Sequence, residues 1–322
     1  MNITKTVITA AGRGVRLYPA TDTVQKAMLP IVDRDGLCKP MIQIIAEEAL
    51  ASGIEEICLV CAPGDPEQYL RQFQSLRENL LIAYKGVDWA QEQAMSIDNL
   101  LRRLHFAEQH EPLGYGHAIS CAKSFIGSDS FLLLLSDHLY LSHDPKLRCA
   151  EQLMHLARSE GCAVAAVHAT REHLIGHYGT LTGRHLSGRP GAYQIERIIE
   201  KPSISQAELE LFTPGLRVGQ YLCFFGMHVL TPGIFSILDE FIAKGDTPDR
   251  YQLTPALQEL ARHERYLALE VQGMRYDIGR KFGQLQAQFA LGLAGVDHDR
   301  LLTETMELLL DVERHQPVSY GE

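Results

Sequence analysis

Residues 6–33, TVITAAGRGVRLYPATDTVQKAMLPIVD, constrain the fold more than any other stretch of this chain. Val7 and Ile8 form an apolar start that is too short for a helix and reads as a buried strand. A glycine-rich turn follows at once, Ala10-Ala11-Gly12-Arg13-Gly14. Glycines at the end of a strand let the backbone approach a ligand, because no Cβ intervenes. Exposed N–H groups in such a turn suit phosphate oxygens, so Ala10, Ala11, Gly12 and Gly14 are candidate nucleotide contacts. Arg16 and Lys26 would add positive charge for a polyphosphate. The stretch therefore reads as a nucleoside triphosphate site built on the first strand. A G-x-G pair alone is equally a plain βα turn with two incidental cations.

Composition narrows the classes. At 322 residues the chain is one large α/β domain or two smaller ones, long enough to bury a sizeable core. Its net charge of −10 argues against a broad basic surface for nucleic acid. An acidic protein that binds an anion must place its cations locally, which singles out Arg16, Lys26 and Lys201. The seven cysteines are scattered. Cys58 and Cys61 are spaced C-x-x-C, but inside an apolar run, with no second pair to complete a zinc site. Buried free thiols in a reducing cytoplasm account for them. The N-terminal apolar run is too short for a signal peptide, and no uncharged stretch approaches the roughly 18 residues of a membrane span. A cytoplasmic protein with no membrane and no nucleic-acid partner is expected.

Periodicity supplies the elements. A helix over 41–52 between strands at 7–8 and 54–60 makes a β-loop-α-β unit and predicts a parallel sheet. Helices are expected over 67–73 and 90–104, and residues 74–89 read either way. A short strand over 103–107, a loop over 108–116 and a helix over 117–126 follow. Phe131–Leu135 is apolar throughout, hence a buried strand, and delivers Asp137 just past its end. A helix over 146–159, a strand over 163–168 and a hairpin over 178–200 come next. A strand over 220–228, helices over 232–244 and 252–263, and strands over 266–271 and on to Asp277 follow. Helices over 282–293 and 299–313 close the chain. The division expected is a main domain, 1–295, and a C-terminal helical tail, 296–322.

The motifs together resemble the sugar-1-phosphate nucleotidyltransferases. That family carries G-x-G-T-R-x-x-P and then P-K-x-M-L-P. Here the match is Gly12-Arg13-Gly14-Val15-Arg16-Leu17-Tyr18-Pro19, then Gln25-Lys26-Ala27-Met28-Leu29-Pro30. Val15 stands for Thr, Gln25 for Pro, and Ala27 for a usual Glu; residues 34–38 are extra between Asp33 and Lys39. Five further segments match in the family's order. The segment from Gln109 to Gly114 resembles the nucleobase loop, and Asp137 in Ser136-Asp137-His138 the first metal-binding aspartate. Tyr178-Gly179, Glu200-Lys201-Pro202 and Gly219-Gln220-Tyr221 resemble sugar-binding segments. Asp277-Ile278-Gly279 resembles the segment with the second metal aspartate, and Lys281 matches a lysine frequent in the uridylyltransferase branch.

The resemblance implies a Rossmann-like, doubly wound α/β fold: a mixed, mostly parallel sheet with a small β-rich sugar-binding insertion. It implies nucleotidyl transfer from UTP to glucose 1-phosphate, giving UDP-glucose and pyrophosphate. Another sugar-1-phosphate nucleotidyltransferase, such as a thymidylyltransferase, or a non-catalytic nucleotide-sugar-binding homologue are the alternatives. Arg16, Lys26 and Lys201 would be catalytic. Gln109 and Gly114 would meet the base; Gly179, Glu200, Gly219 and Lys281 would face the sugar. Asp137 and Asp277 would bind Mg²⁺. His117 and His138 read as loop polar groups rather than ligands. A homo-oligomer is expected. The chemistry is consistent without the name: two carboxylates far apart in sequence can share one Mg²⁺, and two lysines can neutralise two anions that must approach each other.

Overall fold

The computed structural model describes residues 1–244 and 252–315. Residues 316–322 of the expected tail lie outside that range. The chain opens with β1 (Lys5–Thr9). A long loop leads to a ribbon of β2 (Pro30–Val32) and β3 (Cys38–Pro40), then α1 (Met41–Ala51). β4 (Glu56–Cys61), α2 (Asp65–Ala83), α3 (Asp88–Arg103) and β5 (Leu104–Glu108) follow. Two short helices, α4 (Tyr115–Ser120) and α5 (Lys123–Ile126), replace the single helix expected over 117–126. Next come β6 (Phe131–Leu135), β7 (His138–Ser142), α6 (Cys149–Glu160) and β8 (Ala163–Arg171). The hairpin is β9 (Gly179–His185) and β10 (Ala192–Glu200), followed by α7 (Ile204–Glu210). β11 (Gln220–Leu230), α8 (Gly233–Lys244), α9 (Leu253–His263), β12 (Tyr266–Glu270) and β13 (Gly273–Asp277) follow. The described chain closes with α10 (Gly283–Leu293) and α11 (His298–His315).

Nine strands form one sheet in the order β5-β4-β1-β6-β11-β8-β12-β10-β9. Its central strands are apolar on both faces because both faces are covered. Ile8, Leu59, Leu132 and Leu134 pack with residues of α1, α2, α3 and α6. Val7, Val60, Phe131 and Leu133 pack with residues of α4, α8 and α9 on the other side. Cys58 and Cys61 fall on opposite faces, and burial pushes both thiols up to about 12.

The sheet is mixed, but it is not mostly parallel. Four strand pairs are parallel (β1–β4, β1–β6, β4–β5, β8–β12). The other five are antiparallel (β6–β11, β8–β11, β9–β11, β9–β10, β10–β12). Beyond β6 the chain returns against itself through β11, and the hairpin β9–β10 is antiparallel by construction. Nor is that hairpin a separate insertion. Leu181 pairs with Leu222 and Thr180 with Cys223, so β9 closes a five-stranded ring with β11, β8, β12 and β10.

Several elements differ from what the periodicity gives, and the β2 and β3 strands are among those it missed. α2 runs unbroken through residues that read either way, with a proline in its first turn where the missing N–H costs nothing. α7 begins at Ser203, whose hydroxyl accepts from the Gln206 N–H at 3.2 Å. β7 follows β6 after only two residues and pairs with β13, with His138 opposite Asp277. The Ile278 N–H donates to the Asp137 carbonyl at 2.9 Å, which locks that ribbon to the end of β6.

The extra residues 34–38 build the turn between β2 and β3 and dock it on the end of α10. The Arg34 carbonyl accepts from the Val296 N–H at 2.9 Å. Beside it, the buried ammonium of Lys39 meets Asp33 at 2.9 Å, Asp35 at 2.6 Å and Glu47 at 3.1 Å. A buried charge is tolerable only when paired in this way.

Candidate active site

The parallel strands β4, β1 and β6 end at one edge of the sheet, where ligands of open α/β sheets gather. A cleft of about 720 Å³ opens there, lined among others by Ala11, Gly12, Lys26, Gln109, Gly114 and Asp137. The glycine-rich turn forms one wall. Gly14 has φ 64°, and a Cβ on it would lie 3.1 Å from the Thr21 methyl and 3.3 Å from Lys26 Cδ. Strain and crowding both demand glycine there. The Thr21 hydroxyl donates to the Gly14 carbonyl at 3.1 Å and holds the turn shut on itself. Gly12 is the opposite case, with no atom within 4 Å of its would-be Cβ, so its backbone faces open space. Val15 is 74 % exposed.

Lys26 and Asp137 line the cleft, and Arg16 and Asp277 join them in one charged cluster. Lys26 Nζ lies 2.8 Å from Asp137 Oδ2, and the Arg16 guanidinium 3.5 Å from the same oxygen and 3.3 Å from Asp277 Oδ2. Burial alone would raise the Asp137 carboxyl; positive charge on His138, Lys26 and Arg16 outweighs it and brings the group down to about 2. Burial pushes the His138 imidazole down to about 4 against the pull of Asp137. At neutral pH that ring is uncharged, so Lys26 and Arg16 hold Asp137 ionised.

The ligand atoms of Asp137, His138 and Asp277 all lie within 4.8 Å of one another. Asp277 Oδ1 is buried with no hydrogen-bond partner, although its other oxygen is paired. An orphaned carboxylate oxygen beside a second carboxylate suits a hard cation with oxygen ligands. His138 therefore sits inside the acidic cluster and not in a loop. Its ring stacks over Gly226, where a Cβ would come 2.3 Å from Nδ1.

Opposite the glycine-rich turn, Gln109 is only 8 % exposed and caps the end of β5. Its Nε2 donates to the Gly114 carbonyl at 3.1 Å and lies 3.0 Å from His117 Nδ1. His117 is thus part of the loop's bonding, which its scattered context in the sequence does not reveal.

The remaining predicted residues cluster around the β9–β10 hairpin. Gly179 and Glu200 are cross-strand neighbours. A Cβ at Gly179 would stand 2.7 Å from the Phe224 ring and 3.1 Å from Glu200 Oε2. Glu200 Oε2 accepts from Thr254 at 2.6 Å, and Oε1 meets Lys201 Nζ at 3.1 Å. Lys201 has φ 47°, a left-handed backbone that a side chain rarely adopts. Its N–H donates to the Tyr178 carbonyl at 3.0 Å, which holds that conformation. Gly219 has φ 75°, and its carbonyl accepts from the Glu172 N–H at 2.9 Å. Lys281 lies over the Phe282 ring at 5.3 Å.

A second cavity of about 360 Å³ adjoins this region, lined among others by Tyr178, Gln220, Phe224 and Arg275. Gly179, Glu200, Lys201, Gly219 and Lys281 line neither of these two cavities. Arg275 escaped the sequence reasoning. Its guanidinium stacks 4.6 Å over Tyr178 and donates to the Phe224 carbonyl at 3.0 Å. The available signal was its place two residues before Asp277, on the same side of the strand. Thr254, which fixes Glu200, carried no signal at all.

The family model described as nucleotidyl transferase matches residues 5–289. Among curated proteins, the UTP–glucose-1-phosphate uridylyltransferase YngB of Bacillus subtilis is 37% identical over 294 residues, covering 90% of each chain. The UTP–glucose-1-phosphate uridylyltransferase of Streptococcus pneumoniae is 35% identical over 295 residues, covering 90% of this chain and 91% of its own. Among solved structures, a UDP-glucose pyrophosphorylase complexed with UDP-glucose superposes with a TM-score of 0.71 at 30% identity, over 90% of this chain and 98% of that one. A UTP-bound enzyme from Acinetobacter baumannii gives a TM-score of 0.75 at 28% identity, over 96% and 99%.

Proposed function

The chain belongs to the nucleotidyl transferase family, and we propose that it transfers a uridylyl group from UTP to glucose 1-phosphate. UDP-glucose and pyrophosphate are the products. The observation that carries this reading is the meeting of Arg16 and Asp277 with Lys26 and Asp137, which line the cleft of about 720 Å³. An oxygen of the sugar phosphate attacks the α-phosphorus of UTP. The bond from that phosphorus to the β-phosphate oxygen breaks, and pyrophosphate leaves with the electron pair. The sugar phosphate is itself the nucleophile, so the enzyme's work is positioning and charge neutralisation.

The backbone of Ala10, Ala11, Gly12 and Gly14 cradles the triphosphate, with Arg16 and Lys26 as its cations. Lys201 neutralises the sugar phosphate, while Gly179, Glu200, Gly219 and Lys281 orient the sugar. Asp137 and Asp277 would hold Mg²⁺. When bound, that ion supplies positive charge to the phosphate oxygens on which negative charge builds.

α11 exposes Leu302, Met306, Leu309 and Leu310, which supports self-association into a homo-oligomer. Seven free thiols support a cytoplasmic setting.

The choice of nucleotide tests the reading. Uracil offers an N3–H donor between two carbonyls, which suits a glutamine carbonyl at Gln109. Cytosine has an unprotonated N3 and loses that contact, at roughly 1–3 kcal/mol, or ten- to a hundredfold. Thymine adds only a methyl, which apolar contacts discriminate weakly. Catalytic efficiency should be highest for UTP, then dTTP, with CTP, ATP and GTP well behind. CTP or GTP as the best donor would sink the assignment.

Val15→Thr probes the glycine-rich turn. The exposed valine supplies no hydroxyl where the family has one. A hydrogen bond to a charged group is worth roughly 1.5–3 kcal/mol, so the KM for UTP should fall by about tenfold or more. An unchanged or raised KM would mean that the loop has been rebuilt around valine.

A further inference from the structure

We propose that His117 is a positioning residue that locks the Gln109 amide in one orientation and so sets the enzyme's preference for uracil over cytosine. The proposal rests on the uridylyl-transfer reading above and goes beyond it to the residue that makes Gln109 selective.

A glutamine amide has two poles of nearly equal size, one donor and one acceptor. Left free to rotate, it can offer either pole to a base. Uracil needs an acceptor opposite N3–H. Cytosine needs a donor opposite its bare N3. Selectivity therefore depends on what prevents the flip, and the base itself does not supply that.

The loop supplies it. The Gly114 carbonyl can only accept, so the atom 3.1 Å from it must be the amide nitrogen. A flip would set oxygen against oxygen there. One amide hydrogen is then used, and the other points to His117 Nδ1 at 3.0 Å. For that contact to be a hydrogen bond, Nδ1 must accept, which places the imidazole proton on Nε2. Both hydrogens of the Gln109 amide nitrogen are now occupied. Among the described residues nothing meets Oε1, so the acceptor is the pole left for a ligand in the cleft that Gln109 lines. His117 sits in the first turn of α4, and the Ala118 N–H of that turn donates to the Gly114 carbonyl at 3.1 Å. One helix start thus fixes both contacts of the amide.

Gly114 alone leaves a single contact to oppose the flip. The second contact adds to it, because a flipped amide would set its oxygen against the lone pair of His117 Nδ1 unless the imidazole moved its proton at the same time. A neutral hydrogen bond contributes about 0.5–1.5 kcal/mol, so its loss should cost about three- to tenfold in discrimination.

The test uses two variants that separate hydrogen bonding from packing. His117→Phe keeps a ring and loses the acceptor. His117→Asn loses the ring and can place its Oδ1 near the former Nδ1. The readout is the ratio of kcat/KM for UTP to that for CTP, with glucose 1-phosphate saturating. The ratio should fall about three- to tenfold in His117→Phe and stay within about twofold of wild type in His117→Asn. A ratio preserved in His117→Phe overturns the proposal, and so does a fall of equal size in both variants. If His117→Phe does not fold, His117→Asn still decides, since a fall there removes the acceptor role. A wild-type enzyme that prefers CTP or GTP refutes the uridylyl-transfer reading itself, before any variant is made.

Discussion

Asp137→Asn and Asp277→Asn should each lower turnover by at least two orders of magnitude at ordinary Mg²⁺. Each removes a full negative charge from a site suited to a hard cation, and an amide oxygen is a far poorer ligand for such an ion. The two variants should nevertheless differ in stability. Asp137 is nine-tenths shielded and neutralises Lys26, whose side chain is only 13% exposed. Removing it leaves a largely buried ammonium without its counter-ion, a change that costs several kcal/mol when no other partner is found. Among the described residues the Asp277 side chain pairs only with Arg16, which is 56% exposed and can turn to water. Thermal unfolding should therefore show a clear drop for Asp137→Asn and little for Asp277→Asn, with activity lost in both. Near-normal turnover of either variant across a Mg²⁺ titration would show that the metal assignment is wrong. Equal thermal stability would show that the Lys26 pair is not what holds the floor of the cleft.

Lys26→Ala and Lys201→Ala should fail on opposite sides of the reaction. Lys26 lines the cleft and touches Asp137, so on the proposed reading its loss would remove a cation from the triphosphate and leave two carboxylates facing it. UTP affinity measured by calorimetry should fall at least tenfold, consistent with a charge-assisted hydrogen bond of roughly 1.5–3 kcal/mol. Lys201 stands at the end of β10, paired with Glu200 and 59% exposed. Its loss should leave UTP binding within about twofold. Catalytic efficiency toward glucose 1-phosphate should drop by two orders of magnitude or more, because two anions would then approach with one charge unscreened. A large UTP defect in Lys201→Ala, with normal sugar-phosphate kinetics, would reverse the two roles.

The amino-acid sequence by itself determined the framework of this protein. β6 was legible to the residue because a strand covered on both faces must be apolar throughout, and Phe131–Leu135 is. The turn was legible at Gly14, where the left-handed backbone and the crowding by Thr21 and Lys26 demand glycine. The motifs were legible because each is local: a few residues whose spacing survives whatever surrounds them. The tertiary structure decided what depends on residues distant in the chain. The meeting of Asp137 with Asp277 rests on the β7–β13 ribbon, a pairing that no local period announces. The ring closed by β9 on β11 overturned a mostly parallel sheet for the same reason, since strand direction is set by the path between strands and not by their side chains. Arg275 over Tyr178, Thr254 on Glu200 and His117 on Gln109 are likewise contacts of geometry. Polar side chains of this kind carry no periodic signal, and their chemistry is set by the one neighbour that folding brings within hydrogen-bond reach.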